Sequence, residues 1–214
     1  MKTEPANPPL DCARCPRLVA LREELTGQHP DWFNAPVPSF GDPAARLLIV
    51  GLAPGLNGAN RTGRPFTGDY AGDLLYATID KLGLSEGTFA SRPDDGLVLK
   101  GCMITNAVRC LPPANKPVGA EINNCRPFLM AQIEALPHLR SILALGKIAH
   151  DSIIRAFGLR LAEYKFAHEA SHRLSGDLTL IDSYHCSRYN TNTGRLTPEM
   201  FESAMRAARD RARC

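Results

Sequence analysis

The sequence predicts an α/β fold: one domain in which a central four-stranded, mainly parallel sheet is flanked by helices on both faces. Three observations carry this. Four short apolar runs, at 46–51, 97–108, 140–145 and 178–182, alternate with segments whose apolar residues recur at helical spacing. Runs without polar alternation suit strands buried on both faces, which are joined by crossover helices. Polar residues concentrate just after Val50, Thr105 and Asp182, and such sheets bind their ligands at the carboxyl ends of the strands.

The elements follow in order. Residues 12–25 read as an N-terminal helix stopped by Thr26-Gly27. Residues 28–45, punctuated by Pro30, Pro36, Pro38, Gly41 and Pro43, read as loop. The first strand, 46–51, feeds the long loop GLAPGLNGANRTGRPFTGD. Leu74, Leu75, Ile79 and Leu82 mark a helix over 71–82 that stops at Gly83, and 84–96 is a polar insertion. The second strand lies within 97–108, with Cys102-Met103-Ile104-Thr105 at its centre. A helix follows over 119–136, which Pro127 is expected to kink or divide. The third strand, 140–145, precedes a helix at 146–157, and the fourth spans 178–182. A closing helix covers 198–211, with Thr197 as N-cap and Pro198 at its first position.

At 214 residues the chain is long enough to bury a real core. No apolar run approaches a membrane span, and the start MKTEPANPPL is too polar for a secretion signal, so cytoplasmic residence is the expectation. Net charge is only +3, but Arg61, Arg64, Arg109, Arg188 and Arg195 fall in or beside the loops. Basic loops on a nearly neutral body suit an anionic polymer docking on one face.

Seven cysteines in a chain of this kind argue for metal or redox chemistry rather than disulfides. Cys12-x2-Cys15 lies at a helix start, and Cys110-x14-Cys125 runs from a strand end into the next helix. Four thiolates from two distant segments can close a zinc site or hold a [4Fe–4S] cluster, and spacing alone does not choose. Cys102 and Cys186 suit buried free thiols, and Cys214 is set aside as inert.

The glycine-rich loop has no Gly-Lys-Ser/Thr ending and no G-x-G-x-x-G spacing, so neither familiar nucleotide fingerprint applies. The segment 183–195 is dense in donors and acceptors. His185 stands at its strand end, where an imidazole can stabilise a departing anion. His150, His168 and His172 have weaker contexts and read as structural.

Three segments together resemble the uracil-DNA glycosylase superfamily, and within it family 5, the broad-specificity iron–sulfur branch. They are GLAPGLNGANRTGRPFTGDYAG at 51–72, TNAVRCLPPANKP at 105–117 and SYHCSRYNTNTGRLT at 183–197. The resemblance spans nearly the whole chain, and Cys12, Cys15, Cys110 and Cys125 match the cluster ligands of families 4 and 5. It implies a structural [4Fe–4S] cluster in preference to zinc. It also implies hydrolysis of the N-glycosidic bond of uracil and other deaminated or damaged bases in DNA, such as hypoxanthine and ethenocytosine.

Further residue roles follow from the same resemblance. Phe66 matches a residue that stacks on the flipped base, and Asn106 one that reads the base edge. Backbone groups of the Gly51, Ala53 and Gly55 turn, with His185, would face the leaving base, and the loop's glycines would let that base approach the backbone. Ala53 stands where many relatives place an acid or amide, and Leu52 where family 4 places glutamate. The catalytic carboxylate therefore falls to Asp69, which also suits a helix cap, with Asp73 as alternative and Asn115 as a helper. DNA contacts are expected from Arg188, Asn190, Thr191, Asn192, Thr193 and Arg195, with Asn60, Arg61 and Lys116 beside them. The expected partner is DNA carrying such bases, bound by a monomer. A strictly uracil-specific enzyme and a non-catalytic iron–sulfur or zinc module that binds DNA are the alternatives.

Overall fold

The computed structural model describes residues 6–213; Cys214 and the first five residues of the polar start lie outside them. In chain order the elements are α1 (Pro16–Gln28), β1 (Phe40–Gly41), β2 (Leu47–Gly51), α2 (Ala59–Thr62), α3 (Tyr70–Lys81), β3 (Ser85–Glu86) and β4 (Val98–Leu99). Then come β5 (Cys102–Asn106), α4 (Gly119–Glu134), β6 (Ser141–Leu145), α5 (Lys147–Ala156), β7 (Ser171–Ser175), β8 (Leu178–Ser183), α6 (Arg188–Asn192) and α7 (Pro198–Arg213).

The four predicted strands form the centre of the sheet, in the order β5-β2-β6-β8 and all parallel. Every residue of β2, β5 and β6 is buried, as their unbroken apolar runs require. Alternate residues serve opposite faces. Leu47 and Ile49 pack with Leu75, Ile79, Phe201 and Met205 of α3 and α7. Leu48 and Val50 pack with Leu129, Ile133, Ile153 and Ile154 of α4 and α5. The register sets Gly51 beside Asn106, and Leu145 beside Ser183, so the strand ends share one rim.

The sheet has six strands rather than four. β1 pairs antiparallel with β5, and β7 antiparallel with β8, closing the two edges. β1 has only two residues, inside the segment expected to be loop. β7 reads Ser-His-Arg-Leu-Ser and is mostly exposed, so neither edge carries an apolar signature. Other boundaries differ for local reasons. α1 starts at Pro16, with Cys15 as its N-cap, and runs past Thr26-Gly27 because an exposed glycine in a last turn costs only about 1 kcal/mol. α4 continues through Pro127: the proline is exposed, and Cys125, Phe128 and Leu129 bury the opposite face on either side of it. β3 and β4 pair within and just after the polar insertion. Ser187 caps α6 inside the segment read as loop. Among the described residues, no helix is long and apolar enough to cross a membrane.

The polar insertion is anchored to the loop that follows β2. Arg64 and Asp95 form two parallel bonds of 2.7 Å, with both side chains almost fully buried. The Arg64 guanidinium holds the Asp95 carboxyl well below the usual carboxylate range. Asp95 also accepts from the backbone of Ala90 and Leu97, and Ser91 Oγ accepts from Gly68. Removing one partner of a buried pair strands the other, so Asp95→Ala should cost about 3–5 kcal/mol of stability. A urea unfolding curve reads this directly; an unchanged midpoint would show that the pair does not hold the insertion.

Candidate active site

A cavity of about 530 Å3 opens at the carboxyl ends of β2, β5, β6 and β8. The loop after β2 contributes Ala53, Gly55, Phe66 and Asp69; β5 contributes Asn106; and Asn115, Ile148, His185 and Arg188 complete the wall.

The glycines of the long loop are explained by what fills the space their missing side chains leave. A methyl at Gly51 would overlap Asn106 Oδ1 and the Phe66 ring, and one at Gly58 would overlap the Asp69 carboxylate. At Gly55 it would lie 3.0 Å from Asp69 Oδ2. At these positions the close approach expected of a base is made by the protein's own pocket side chains. Phe66 sits in the left-handed region at φ 53°, which is costly for an aromatic residue. The following segment holds it there: Tyr76 Oη donates to the Pro65 carbonyl at 2.8 Å, and the Phe66 carbonyl presses against Gly72, where no side chain would fit. The Phe66 ring faces His185, with centroids 6.0 Å apart and planes tilted by 27°.

Asn106, on the last residue of β5, is 3% exposed, and its Oδ1 is buried without a hydrogen-bond partner. An orphaned buried acceptor costs on the order of 1–3 kcal/mol and calls for an outside donor. Asp69 caps α3, accepting from Gly72 N at 3.1 Å through Oδ1, while Oδ2 points toward Gly55 and Gly58. Burial raises its pKa above the ordinary aspartate value, against the opposing bonds from the Gly72 and Ala71 backbones. His185 keeps a face open to the cavity but lies deep among protein atoms, and the lost solvent pushes its pKa down to about 4. Its imidazole is therefore neutral at pH 7. Asn190 Nδ2 donates to the His185 carbonyl at 2.8 Å, and Cys186 Sγ reaches the Ala71 carbonyl at 3.5 Å, tying this loop to the start of α3. Asn115 is exposed on a left-handed turn at the cavity edge (φ 55°).

Cys12, Cys15, Cys110 and Cys125 border a second, small cavity, with Leu18 and Phe128 beside them. Their carriers are joined by Arg17, which grips Glu121 at 2.7 and 2.8 Å and so fastens α1 to α4. Arg109 N donates to Cys125 Sγ at 3.3 Å, and Asn124 Nδ2 to Cys15 Sγ at 3.6 Å. The Arg109 side chain is fully buried, and its bonds go to neutral acceptors: the Ala6 and Val37 carbonyls and Asn7 Oδ1. Its Nε has no partner. A buried cation with an unused donor beside four thiols fits an anionic thiolate-bound centre.

The rim differs from the sequence-based expectation at several residues. Asn60 is buried, and its side chain bonds Asn34 Oδ1 at 2.9 Å, so it does not face a partner. Arg64 and Arg109 are likewise buried rather than basic loop residues; the first neutralises Asp95 and the second lies beside the cysteines. Asn190 braces His185, and the hydroxyls of Thr191 and Thr193 bond back to carbonyls of α6 and its cap. Arg61, Lys116, Arg188, Asn192 and Arg195 are exposed. Arg188 lies over the Tyr70 ring at 5.1 Å, and Arg195 over that of Tyr184 at 4.5 Å. The sequence reading missed the exposed apolar residues Leu56, Tyr70, Ile148 and Tyr189, the last 73% exposed. Tyr70 and Ile148 line the cavity itself, and Tyr189 stands next to Arg188. Their signal was a large apolar side chain at a position no strand or helix period explains.

Fold and cavity together define an α/β protein whose strand ends carry a cavity bordered by a buried ring, an unpaired amide and a carboxylate. The family model of the uracil DNA glycosylase superfamily matches residues 38–209. The type-5 uracil-DNA glycosylase of Thermus thermophilus is 48% identical over 204 residues, covering 92% of each chain. That of Pyrobaculum aerophilum is 38% identical over 209 residues, 96% of this chain and 91% of its own. A type-4 uracil-DNA glycosylase of the same organism is 36% identical over 125 residues, 58% of this chain and 56% of its own. The chain belongs to the uracil DNA glycosylase superfamily.

The crowding at Gly58 yields a test. Gly58→Ala should displace the Asp69 carboxylate, and a misplacement of roughly 1 Å lowers catalysis by ~10²-fold. The measurement is release of uracil from an oligonucleotide, beside a thermal melt that should show a folded protein. Undiminished activity would mean that Asp69 does not need its observed place.

Proposed function

We propose that the chain is a uracil-DNA glycosylase of the type-5 kind, which hydrolyses the N-glycosidic bond of a base extruded from DNA. The observation that carries this reading is the convergence of Asn106, Phe66, Asp69 and His185 on one cavity at the strand ends. A stacked base is out of reach in the duplex, so the nucleotide must be flipped into the cavity. Exposed Arg61, Lys116, Arg188, Asn192 and Arg195 would meet phosphates, and the exposed apolar groups around the mouth would fill the space the base vacates.

Phe66 provides a stacking face. The unpaired Oδ1 of Asn106 accepts the ring N–H of uracil, while its amide nitrogen can donate to the adjacent carbonyl. As the glycosidic bond breaks, its electron pair goes to the pyrimidine ring, and a neutral His185 donates a hydrogen bond to that anion. The sugar becomes oxocarbenium-like. Asp69 Oδ2 stabilises it and takes a proton from water as the water oxygen bonds to the anomeric carbon. Asn115 stands at the cavity edge, where it can help place that water. The four cysteines would hold a [4Fe–4S] cluster. Their preference for a cluster over zinc rests on the type-5 relatives and on the buried Arg109 cation beside them. When bound, the cluster supplies a cross-link between the start of α1 and the β5–α4 connection.

A cavity of about 530 Å3 is several times the size of one pyrimidine, and Ala53 places no acid or amide against the base. Both features support acceptance of hypoxanthine and ethenocytosine beside uracil. Purified protein should be brown and release uracil without added metal, and a panel of the three bases separates broad from uracil-only action. A brown protein that cleaves none of them would leave a DNA-binding module as the reading.

Asp69→Ala should lower single-turnover cleavage by ~10²–10⁴-fold with DNA affinity preserved. Activity surviving within a few-fold would reduce Asp69 to a helix cap. The pH profile follows from the same groups. Asp69 works deprotonated and its pKa is raised, so the rate should fall with acid at a pH above the ordinary aspartate range. Burial pushes the His185 pKa down to about 4, so it is a neutral donor at pH 7.

A further inference from the structure

Beneath the strand end that carries His185 lies a buried set of groups that the reaction does not touch. His150 of α5 is completely buried, and both its ring nitrogens are bonded: Nδ1 to Asp182 Oδ1 at 2.8 Å and Nε2 to the Tyr164 carbonyl at 2.9 Å. Asp182 belongs to β8 and is also completely buried; its other oxygen meets His172 Nε2 of β7 at 3.1 Å.

Hydrogen-bond chemistry fixes the protons. A carbonyl only accepts, so Nε2 of His150 carries a hydrogen. Nδ1 and a carboxylate oxygen cannot meet at 2.8 Å as two lone pairs, so a cation stands between them. Two ligands of one tetrahedral zinc, each at about 2.0–2.1 Å, would be roughly 3.3 Å apart. The observed separation is that of a hydrogen bond, and the cation is a proton. The groups facing His150 are Asp182, Asp151 of its own helix, the His172 ring at 5.3 Å and the Phe166 edge at 5.6 Å. Burial alone would drive the proton off, but the bond and charge of Asp182, with smaller contributions from the Tyr164 carbonyl and Asp151, outweigh it and raise the pKa. The bound proton is lost as pH rises through that raised value.

The triad sits where the catalytic loop departs. Asp182 exchanges backbone bonds with the segment preceding β7, donating to Ala170 O at 2.9 Å and accepting from Glu169 N at 2.8 Å. Two residues on, Tyr184 N donates to His168 Nδ1 at 3.3 Å, and the Tyr184 ring stacks on that of His168 at 5.1 Å. His185 follows directly. We infer that His150, Asp182 and His172 form a proton-bridged buttress that positions His185, with Asp182 and His150 as positioning residues rather than catalytic ones. The inference rests on the glycosylase reading for its consequence in catalysis, but not for its geometry.

The test has two arms. In wild-type protein at pH 7, nitrogen-detected imidazole NMR should show His150 doubly protonated and His185 neutral, and the Asp182→Asn change should shift the His185 ring resonances. A neutral His150, or His185 resonances unmoved by the substitution, overturns the proposal whatever the protein cleaves. In the kinetic arm, Asp182→Asn should slow single-turnover uracil release by ~10²-fold, the order of a roughly 1 Å misplacement, with DNA affinity unchanged. In a His185→Ala background the same substitution should cost far less, because its effect runs through His185. Full additivity, or an equal loss of DNA affinity, identifies a merely structural triad. Wild-type protein that releases no base from any substrate refutes the glycosylase reading alone, and the NMR arm still decides the buttress.

Discussion

The pocket depends on a steric constraint: its polar and aromatic side chains occupy volume that glycines leave empty. Gly51 admits Asn106 and Phe66, Gly55 and Gly58 admit Asp69, and Gly72 admits the Phe66 carbonyl. An alanine at Gly51 or Gly58 would force Asn106, Phe66 or Asp69 to shift. The constraint also explains the strained backbone of Phe66, which is affordable only because Tyr76 and the start of α3 fix the residues around it. A loop that looks like a phosphate cradle from its glycine content is instead packed with its own side chains.

This crowding gives each polar group its chemistry. Asp69 is desolvated and yet accepts from the helix start: one oxygen is committed to α3, the other packs against Gly55 and Gly58, and burial raises the pKa of the group. His185 is stripped of solvent, which pushes its pKa down to about 4 and leaves it neutral at pH 7. Asn106 keeps an acceptor unsatisfied, a cost that a donor on a bound base would offset. The Arg17–Glu121 pair fastens α1 to α4, and Ala53 of the cavity wall packs against the cluster that includes the four cysteines.

Much of this was legible in the residues, for physical reasons. Strands buried on both faces must be apolar throughout, so 47–51, 102–106 and 141–145 announced themselves. β1 and β7 did not, because two residues carry no period and an edge strand such as Ser-His-Arg-Leu-Ser need not be apolar. Asp69 could be read as a cap from its place before a helix, but the direction of its second oxygen depends on Gly58 in space. Asn60 and Asn106 are the same residue type near the same loop, and only packing separates a buried strut from an orphaned acceptor. Arg64 and Arg109 looked like polymer-binding charge because their partners, Asp95 and the cysteine cavity, lie far along the chain. His150, His172 and Asp182 had no sequence signal, since three elements bring them together.

In the proposed reaction Asp69 and Asn106 meet the substrate on opposite sides of the scissile bond. A structure of the protein bound to DNA carrying a cleavage-resistant 2′-fluoro-deoxyuridine tests it most directly. The flipped uracil is expected to lie against Phe66, with its ring N–H on Asn106 Oδ1 and a water between Asp69 Oδ2 and the anomeric carbon. A uracil seated elsewhere, with Asn106 Oδ1 still unpaired and no water between Asp69 and the sugar, would contradict it.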